Sequence, residues 1–220
     1  MILTPDNEYS VLLDACVLVP MPLCETLLRL AEEPALYRPL WSDPILQQVG
    51  TALGRMKCTD VQVKRRLEKM REAFPEAVVS IPEHLEDGLV CIPGSNDRHV
   101  LAAAIAGRAN AILTFNQRHF PPDCLAQYDI DRMCPDEFLV HQFHLNPEAV
   151  LDKIDAQAAA IRETRDSVVK RFRERLQASN FADVVKARKI TREVPSLNFE
   201  NCCLILTARK IKFRPHAPTG

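Results

Sequence analysis

Short apolar runs alternate along the first two thirds of the chain with segments whose apolar residues recur at helical spacing. The run SVLLDACVLVP is broken by a single acid and predicts a strand over about Tyr9–Leu13, buried on both faces. Further strand-like runs are LYRPLW, AVVSI, LVCIP, AILTF and DIDRM. Helical spacing marks MPLCETLLRLAEEP, SDPILQQVGTALGRM, TDVQVKRRLEKMREAF, NDRHVLAAAIAGRAN and PDEFLVHQF. This alternation predicts an α/β domain with a central parallel sheet.

The pattern changes near residue 145. From Pro147 the segment AVLDKIDAQAAAIRETRDSVVKRFRERL is helical in period and contains no strand-like run. The last thirty residues are basic and include the strand-like CCLIL, but their order is left open by the pattern. We therefore predict an α/β domain over 1–144, a helical extension over 145–190 and a basic tail over 191–220.

Composition and charge support this division. With 47% hydrophobic residues and only 6 Gly in 220 residues, the chain is neither collagen-like nor wholly disordered. Residues 1–150 hold 13 Lys and Arg against 21 Asp and Glu, a net charge of −8, whereas residues 151–220 hold 15 against 8, a net charge of +7. The overall charge of −1 argues against a uniform nucleic-acid-coating surface, and the asymmetry indicates two modules.

Targeting signals and metal-binding cysteine motifs are missing from the sequence. The N-terminus MILTPDNEYS lacks a secretory pattern, and no apolar run is long enough to span a membrane. The eight cysteines are scattered without a C-x-x-C pair, and Cys16 and Cys91 lie in apolar runs that suit small, reduced, buried side chains. We therefore expect a cytoplasmic protein with no membrane contact.

Two aspartates are the first candidates for chemistry. Asp14 follows a strand that we predict to be buried, and ligands of open parallel sheets bind at the carboxyl ends of the strands. A buried carboxylate is costly unless it is paired or bound to a metal, although a cap or turn role is the alternative. Asp97 opens the helix in NDRHVL, where the helix dipole favours an anion, but acids are also common there for structural reasons alone.

Polar residues with amide oxygens extend this set. Asn116 follows the strand AILTF and can reach the same edge as Asp14, although an isolated asparagine is more often a turn residue. Gln48 lies within a predicted helix. Oxygen donors at strand ends and helix starts of one α/β domain suit a hard cation such as Mg²⁺, which can activate water and neutralise phosphodiester charge. Sequence patterns of phosphate loops, dinucleotide sites and nucleophile elbows are absent.

Taken together, the segments LLDACVLVP, LYRPLWSDPILQQV, NDRHVLAAAIAGRANAILTFNQRHFP and CPDEFL resemble the PIN-domain family. They are most similar to VapC-type toxins of bacterial toxin–antitoxin pairs, in the subgroup with a helical C-terminal extension. The resemblance covers about residues 9–142. It implies a Rossmann-like three-layer sandwich and a ribonuclease that uses Mg²⁺ or Mn²⁺ to hydrolyse RNA phosphodiesters. It also implies a cognate antitoxin, with a homodimer as a further possibility.

By position, the resemblance makes Asp14 and Asp97 the metal ligands and adds Asn116 and Gln48 to the catalytic set. Thr114 would help to hold Asn116 and is also a candidate substrate-binding residue. Gln48 stands where the family usually has glutamate. Two other expected acids are also replaced, one near Gly94 and one by His119.

The depleted acidic set leaves two interpretations open. The chain is either a metal-dependent endoribonuclease with weakened activity or an impaired PIN module that binds RNA or an antitoxin without cleavage. A metal-dependent phosphatase ranks last, because Asp14 is not part of a D-x-D motif. Arg98 and His99 are candidate substrate contacts, although His99 could instead only pack. The basic extension, including Lys170 and Arg175, could contact RNA, form an ordinary solvated face or bind an acidic segment of the antitoxin.

Overall fold

A five-stranded parallel sheet lies at the centre of the protein. The computed structural model describes residues 9–92 and 94–188, and its strand order is β3-β2-β1-β4-β5. The strands are β1 (Ser10–Leu13), β2 (Arg38–Ser42), β3 (Val78–Val79), β4 (Ala111–Leu113) and β5 (Asp131–Met133). All four residues of β1 are buried, as expected for the middle strand of a covered sheet. The predicted α/β fold class is confirmed.

Helices connect the strands and form the C-terminal region. They are α1 (Ala15–Leu18), α2 (Met21–Ala31), α3 (Asp43–Arg55), α4 (Asp60–Ala73), α5 (Arg98–Ala106), α6 (Pro122–Leu125), α7 (Pro135–Leu145), α8 (Pro147–Ala160), α9 (Arg165–Arg175) and α10 (Ser179–Ala187). Within the described residues, no helix is both long enough and apolar enough to cross a bilayer.

The strand register brings three polar positions to one edge of the sheet. Leu13 of β1 is paired with Leu113 of β4, and Leu12 is paired with Leu40 of β2. Continuing both registers places Asp14 between Thr114 on one side and Ser42 on the other. Because parallel strands end at the same edge, the sequence-adjacent loops converge there.

Local chemistry explains how the helices begin and end. The side chains of Thr59 and Gln62 form a capping box at the start of α4. Helix α5 ends at Gly107, as the sequence predicts, and a Cβ atom there would lie 2.9 Å from Val79 and 3.0 Å from Leu40. This glycine therefore allows the end of α5 to lie close against the sheet.

The start of α5 differs from the prediction. Asn96 was expected to cap the helix, but the N-cap position is Asp97, whose side chain makes no capping hydrogen bond. The carboxylate is consequently directed to other partners, described below. Similarly, the N-cap of α3 is Ser42, and Asp43, which we expected to be the cap, is the first residue of that helix.

The predicted long helix of the extension is divided into two. Helix α8 ends before Arg162, whose φ of 55° lies in the left-handed region, and α9 starts after a new cap at Thr164. A third helix, α10, follows. The proposed tail over 191–220 lies outside the described residues.

The extension packs closely against the α/β part. Gln157 of α8 accepts a hydrogen bond from Thr26 of α2 at 2.5 Å and donates one to the Pro22 carbonyl at 3.0 Å. At the other end, the carboxylate of Asp136 on α7 accepts the backbone N–H groups of Asn180 and Phe181 at 3.3 and 2.8 Å. Asp136 therefore caps α10 from a neighbouring helix, which fixes the extension to the sheet domain.

Two predictions about the segment before Asp97 are wrong. The apolar run LVCIP was expected to be a strand, but residues 89–92 form a turn whose Leu89 and Ile92 are buried. Cys91 was expected to be a reduced thiol, but it forms a disulfide with Cys124, 33 residues later. The covalent link to α6 and the burial of Leu89 and Ile92 hold this segment without strand pairing.

Candidate active site at the carboxyl edge of the sheet

Asp14 is a buried carboxylate with neutral partners. Only 7% of the residue is exposed, and its backbone N–H donates to the Leu113 carbonyl at 3.1 Å. The carboxylate accepts hydrogen bonds from the Thr114 hydroxyl at 2.7 Å and from the Cys16 thiol at 3.0 Å. It makes no capping hydrogen bond to α1, so the alternative role as a helix cap lacks structural support. No cation among the described residues pairs with it, which leaves a buried negative charge that a bound cation would compensate.

Thr114 and Cys16 hold the two loops of this edge together. The Thr114 hydroxyl is fully buried, donates to Asp14 and accepts the backbone N–H of Asn116 at 2.9 Å. The Cys16 sulfur accepts the backbone N–H of Phe115 at 3.2 Å. Burial, reinforced by the nearby Asp14 charge, raises the pKa of the Cys16 thiol well above its ordinary value. The thiol therefore stays protonated and continues to donate to Asp14.

Asp97 lies beside His119. Its Oδ2 atom is 3.2 Å from His119 Nδ1, which is within ion-pair distance but is not aligned as a hydrogen bond. The Asp97 side chain is 27% exposed, so it remains accessible to a ligand. The backbone N–H of His119 in turn donates to the Asn116 carbonyl at 2.9 Å.

These contacts connect the two predicted metal ligands through the polar residues between them. Asp14 is bonded to Thr114, Thr114 to Asn116 and Asn116 to His119, and His119 lies against Asp97. Although the aspartates are 83 positions apart in the sequence, both contact the loop that follows β4. The loop after β4 therefore contacts both aspartates, through Thr114 on one side and His119 on the other.

Gly94 explains one departure from the family pattern. A Cβ atom at this position would lie 2.9 Å from Asp97 Oδ2, closer than real Cβ contacts. Any side chain at position 94, including an acid, would therefore displace the Asp97 carboxylate. In this chain the glycine leaves room for Asp97 in its present position.

Gln48 lies farther from this chain of contacts. It is exposed on α3, and within the described part of the protein it makes no hydrogen bond to Asp14 or Asp97. Helix α3 nevertheless packs against α1 and α5, which directly follow the two aspartates. Gln48 is thus on an element that borders the site.

Ser42 is a candidate that the sequence analysis missed. Its hydroxyl is fully buried at the end of β2 and has no hydrogen-bond partner among the residues that the structure describes. An unpaired buried hydroxyl is costly, and this one lies beside Asp14 by register. In SDPIL the sequence favours Asp43 as the helix cap, so nothing in the local pattern distinguished Ser42.

Arg98 and His99 differ in accessibility. Arg98 is half-buried, and its Nε has no partner in the described ranges. His99 is only 8% exposed, and both of its ring nitrogens are buried without a partner in the described ranges. In this conformation a substrate can reach Arg98 but cannot reach the ring nitrogens of His99.

The described side chains do not form a multi-metal centre. Across residues 9–92 and 94–188 there is no group of three or more His, Cys, Asp and Glu side chains arranged as a metal site. Asp14 and Asp97 together supply two negative charges, and the unpartnered Ser42 hydroxyl and the Asn116 amide are neutral oxygen donors. Oxygen-rich donor sets of this kind suit Mg²⁺ or Mn²⁺.

Comparisons with known proteins point to one family. Residues 10–118 match the family described as PIN domain. Over 64 residues the chain is 48% identical to a protein of Mycobacterium tuberculosis named "Putative ribonuclease VapC50". That alignment covers 27% of this chain and 38% of the relative, so the chain matches well under half of the relative's length. No solved structure gave a significant match.

Proposed function

Because this chain belongs to the PIN-domain family, in its VapC-type group, we propose that it is an endoribonuclease that hydrolyses RNA phosphodiesters. The observation that supports this most directly is the path of contacts from Asp14 through Thr114 and Asn116 to His119 and Asp97. It lies at the carboxyl edge of the sheet, where ligands of such folds bind.

We propose Mg²⁺ or Mn²⁺ as the cofactor. Asp14 and Asp97 would hold the ion, while Ser42 and Asn116 could contribute neutral oxygens. A divalent cation in such a site activates water and offsets the negative charge on the phosphodiester. Two carboxylates suffice for one ion, and the substrate phosphate would supply further negative charge.

The chain's own residues have distinct roles in this proposal. Thr114 positions the Asp14 carboxylate by hydrogen bonding, and the Cys16 thiol donates a second hydrogen bond to it. Arg98, next to Asp97 and half-buried, is placed to contact the substrate phosphate. Gln48 would orient the metal ion or its bound waters from α3. His99 packs below the site, which is the alternative that its burial favours.

The biological setting follows from the same proposal. A VapC-type ribonuclease would act as the toxin of a toxin–antitoxin pair, held inactive by a cognate antitoxin. We propose the cytoplasm as its location, because its RNA substrate is found there. We also propose a homodimer, which sedimentation measurements can test directly.

Cleavage of labelled single-stranded RNA in Mg²⁺, in Mn²⁺ and in excess EDTA tests the enzymatic proposal. Wild type should cleave only with a divalent ion. Asp14→Asn should reduce the rate at least about 100-fold, whereas Asp43→Asn removes an exposed carboxylate that pairs with Arg71 and should leave the rate unchanged.

Three outcomes would contradict the proposal. Full activity in EDTA would exclude the metal, and full activity of Asp14→Asn would exclude the site. RNA binding by wild type without cleavage in either metal would support the impaired module instead. Isothermal titration of Mg²⁺ and Mn²⁺ into wild type and Asp14→Asn provides an independent measurement of metal binding.

A further inference from the structure

A pocket of about 420 Å³ lies next to the proposed active site. Three segments line it: residues 115–118 after β4, residues 134–136 at the start of α7, and Leu176 with Gln177 between α9 and α10. Its volume is within the range of small-molecule sites in proteins. The helical extension therefore forms one wall of a cavity whose opposite wall belongs to the PIN domain.

The pocket shares one residue, Asn116, with the proposed catalytic set. Asn116, one of its lining residues, donates its backbone N–H to Thr114, which holds Asp14. Phe115, another lining residue, donates its backbone N–H to Cys16. An RNA strand with a phosphate at Asp14 would therefore place a neighbouring nucleotide at the mouth of this pocket.

The lining presents groups that recognise nucleotides. Asn116 and Gln177 are exposed amides, which can donate to and accept from base edges. Arg118 is exposed and has no carboxylate partner within the described part of the chain, so its guanidinium is available for a phosphate or a base face. The Phe115 ring is half-buried at the same wall.

Asp136, the one acidic residue in the pocket lining, repels an anionic ligand only weakly. Asp136 is only 9% exposed, and its carboxylate accepts hydrogen bonds from the Asn180 side chain and from the N–H groups at the start of α10. By contrast, two arginines of α9 already form salt bridges: Arg171 pairs with Glu163 and Arg173 pairs with Asp183. Available positive charge at the pocket therefore comes from the PIN-domain side, at Arg118.

We infer that this pocket receives the base of a single-stranded RNA nucleotide adjacent to the cleaved phosphodiester. The inference rests on the proposed ribonuclease function and deepens it by assigning a subsite for a flanking base, one wall of which the helical extension forms. A base in an A-form duplex is paired and stacked and cannot enter such a cavity, whereas an unpaired base can be turned into it. The extension is then part of the substrate-binding surface, and Gln177 is a specificity-determining contact.

Binding measurements with a cleavage-deficient protein test the pocket separately from catalysis. On the Asp14→Asn background, fluorescence anisotropy would follow a labelled single-stranded RNA and the same RNA annealed to its complement. Adding Gln177→Glu places a negative charge in the pocket and should weaken single-strand binding at least fivefold. Gln127→Glu adds the same charge at an exposed glutamine outside the lining and is the matched control.

Kinetics on otherwise wild-type protein provide the second readout. Gln177→Glu should raise KM at least fivefold with kcat within about twofold, because the residue binds a flanking nucleotide and does not touch the reacting atoms. The duplex should bind more weakly than the single strand in every variant. Equal effects of Gln177→Glu and Gln127→Glu, or equal binding of duplex and single strand, would overturn the inference.

The failures of the two proposals are distinguishable. Cleavage by wild type with no specific effect of Gln177→Glu would retain the ribonuclease and reject the pocket. Single-strand binding that depends on Gln177 without cleavage by wild type would retain the pocket and reject the ribonuclease. If Gln177→Glu weakened only the complex with a co-expressed antitoxin, the pocket would be a protein contact and the inference would be wrong.

Discussion

The hydroxyl of Thr114 donates a 2.7 Å hydrogen bond to Asp14 Oδ2 and accepts the backbone N–H of Asn116. This single side chain thus fixes the buried carboxylate at the end of β1 and the polar loop after β4. Because it is fully buried, water cannot replace either bond. The orientation of the proposed metal ligand therefore depends on a residue that would not touch the metal.

Thr114→Val should separate positioning from stability. The substitution retains the shape but removes both hydrogen bonds, so we expect the free energy of unfolding to fall by about 1–3 kcal/mol. Loss of a group that orients a metal ligand should also reduce activity about 10- to 100-fold. Urea denaturation and initial rates of RNA cleavage at saturating Mg²⁺ provide the measurements.

Thr26→Val is the matched control for this variant. Thr26 is also buried and hydrogen-bonded, to Gln157 and the Pro22 carbonyl, but it lies on α2 against the extension. It should lose comparable stability and keep its activity. If both variants lost activity in proportion to stability, Thr114 would have only a structural role.

Gly94→Ala tests whether the Asp97 carboxylate needs the space that Gly94 leaves beside it. The added Cβ would lie 2.9 Å from Asp97 Oδ2, so the carboxylate must move, and we expect weaker Mg²⁺ binding and at least fivefold lower activity. The side chain that moves is flexible, so thermal stability should change little. Isothermal titration and a cleavage assay would measure the two effects.

Gly88→Ala is a stringent control because it lies in the same long connection, and a Cβ atom there meets nothing within 4 Å. It should retain activity and gain a few tenths of a kcal/mol in stability, up to about 1 kcal/mol, by restricting the unfolded chain. Full activity of Gly94→Ala would show that the position of Asp97 is unimportant.

The sequence predicts the fold and most of the site for one physical reason. Strand and helix periods are local, and parallel topology then brings the strand ends to one edge, so Asp14 and Asn116 could be grouped from the pattern alone. Thr114 was added only by the family resemblance. Ser42 was missed because the burial and lack of partners of its hydroxyl arise from tertiary packing. The break before Thr164 was also missed, because apolar spacing continues across it.

The connection before α5 is a second region that the local sequence pattern could not predict. Leu89 and Ile92 are buried, as their hydrophobicity predicts. They belong, however, to a turn that the Cys91–Cys124 disulfide holds in place. Apolar runs of this length do not by themselves distinguish a strand from a buried loop. The pairing of Cys91 with Cys124 depends on their proximity in space, which no local pattern encodes.

His119→Asp should strengthen the metal site. It replaces an imidazole 3.2 Å from Asp97 by a third carboxylate, the residue type that the family pattern has there. Additional negative charge at this distance should lower the Mg²⁺ concentration for half-maximal activity about fivefold, equivalent to about 1 kcal/mol. His84→Asp makes the same change at an exposed histidine 3.2 Å from Asp87 and should have no effect. Equal metal requirements for both variants would place the metal elsewhere.

Cys16 should react slowly with alkylating reagents despite partial exposure. Burial and the Asp14 charge raise its pKa, so at pH 8 a smaller fraction is thiolate than for an ordinary cysteine, and only the thiolate reacts. Iodoacetamide labelling followed by peptide mass spectrometry should therefore modify Cys58, a partly exposed free cysteine on another loop, before Cys16. The labelling rates can also be compared with and without saturating Mg²⁺. Preferential labelling of Cys16 over Cys58 would contradict the raised pKa.

The Cys91–Cys124 disulfide should stabilise the contact between Asp97 and His119. Cys91 precedes Asp97 by six residues and Cys124 follows His119 by five, so the bond joins the two segments that carry this contact. Closing a loop with a sequence separation of 33 should contribute about 2–4 kcal/mol to the free energy of unfolding. We expect Cys124→Ser to lose this amount and to bind Mg²⁺ more weakly.

A reductant distinguishes the bond from the side chains that form it. Dithiothreitol should lower the thermal midpoint and Mg²⁺ affinity of wild type to the values of Cys124→Ser, and it should change neither quantity in that variant. Cys58→Ser removes a free cysteine and should behave as wild type with and without reductant. If reduction lowers stability but leaves Mg²⁺ affinity unchanged, the disulfide supports the fold alone, and the contact between Asp97 and His119 is maintained by packing around α5 and α6.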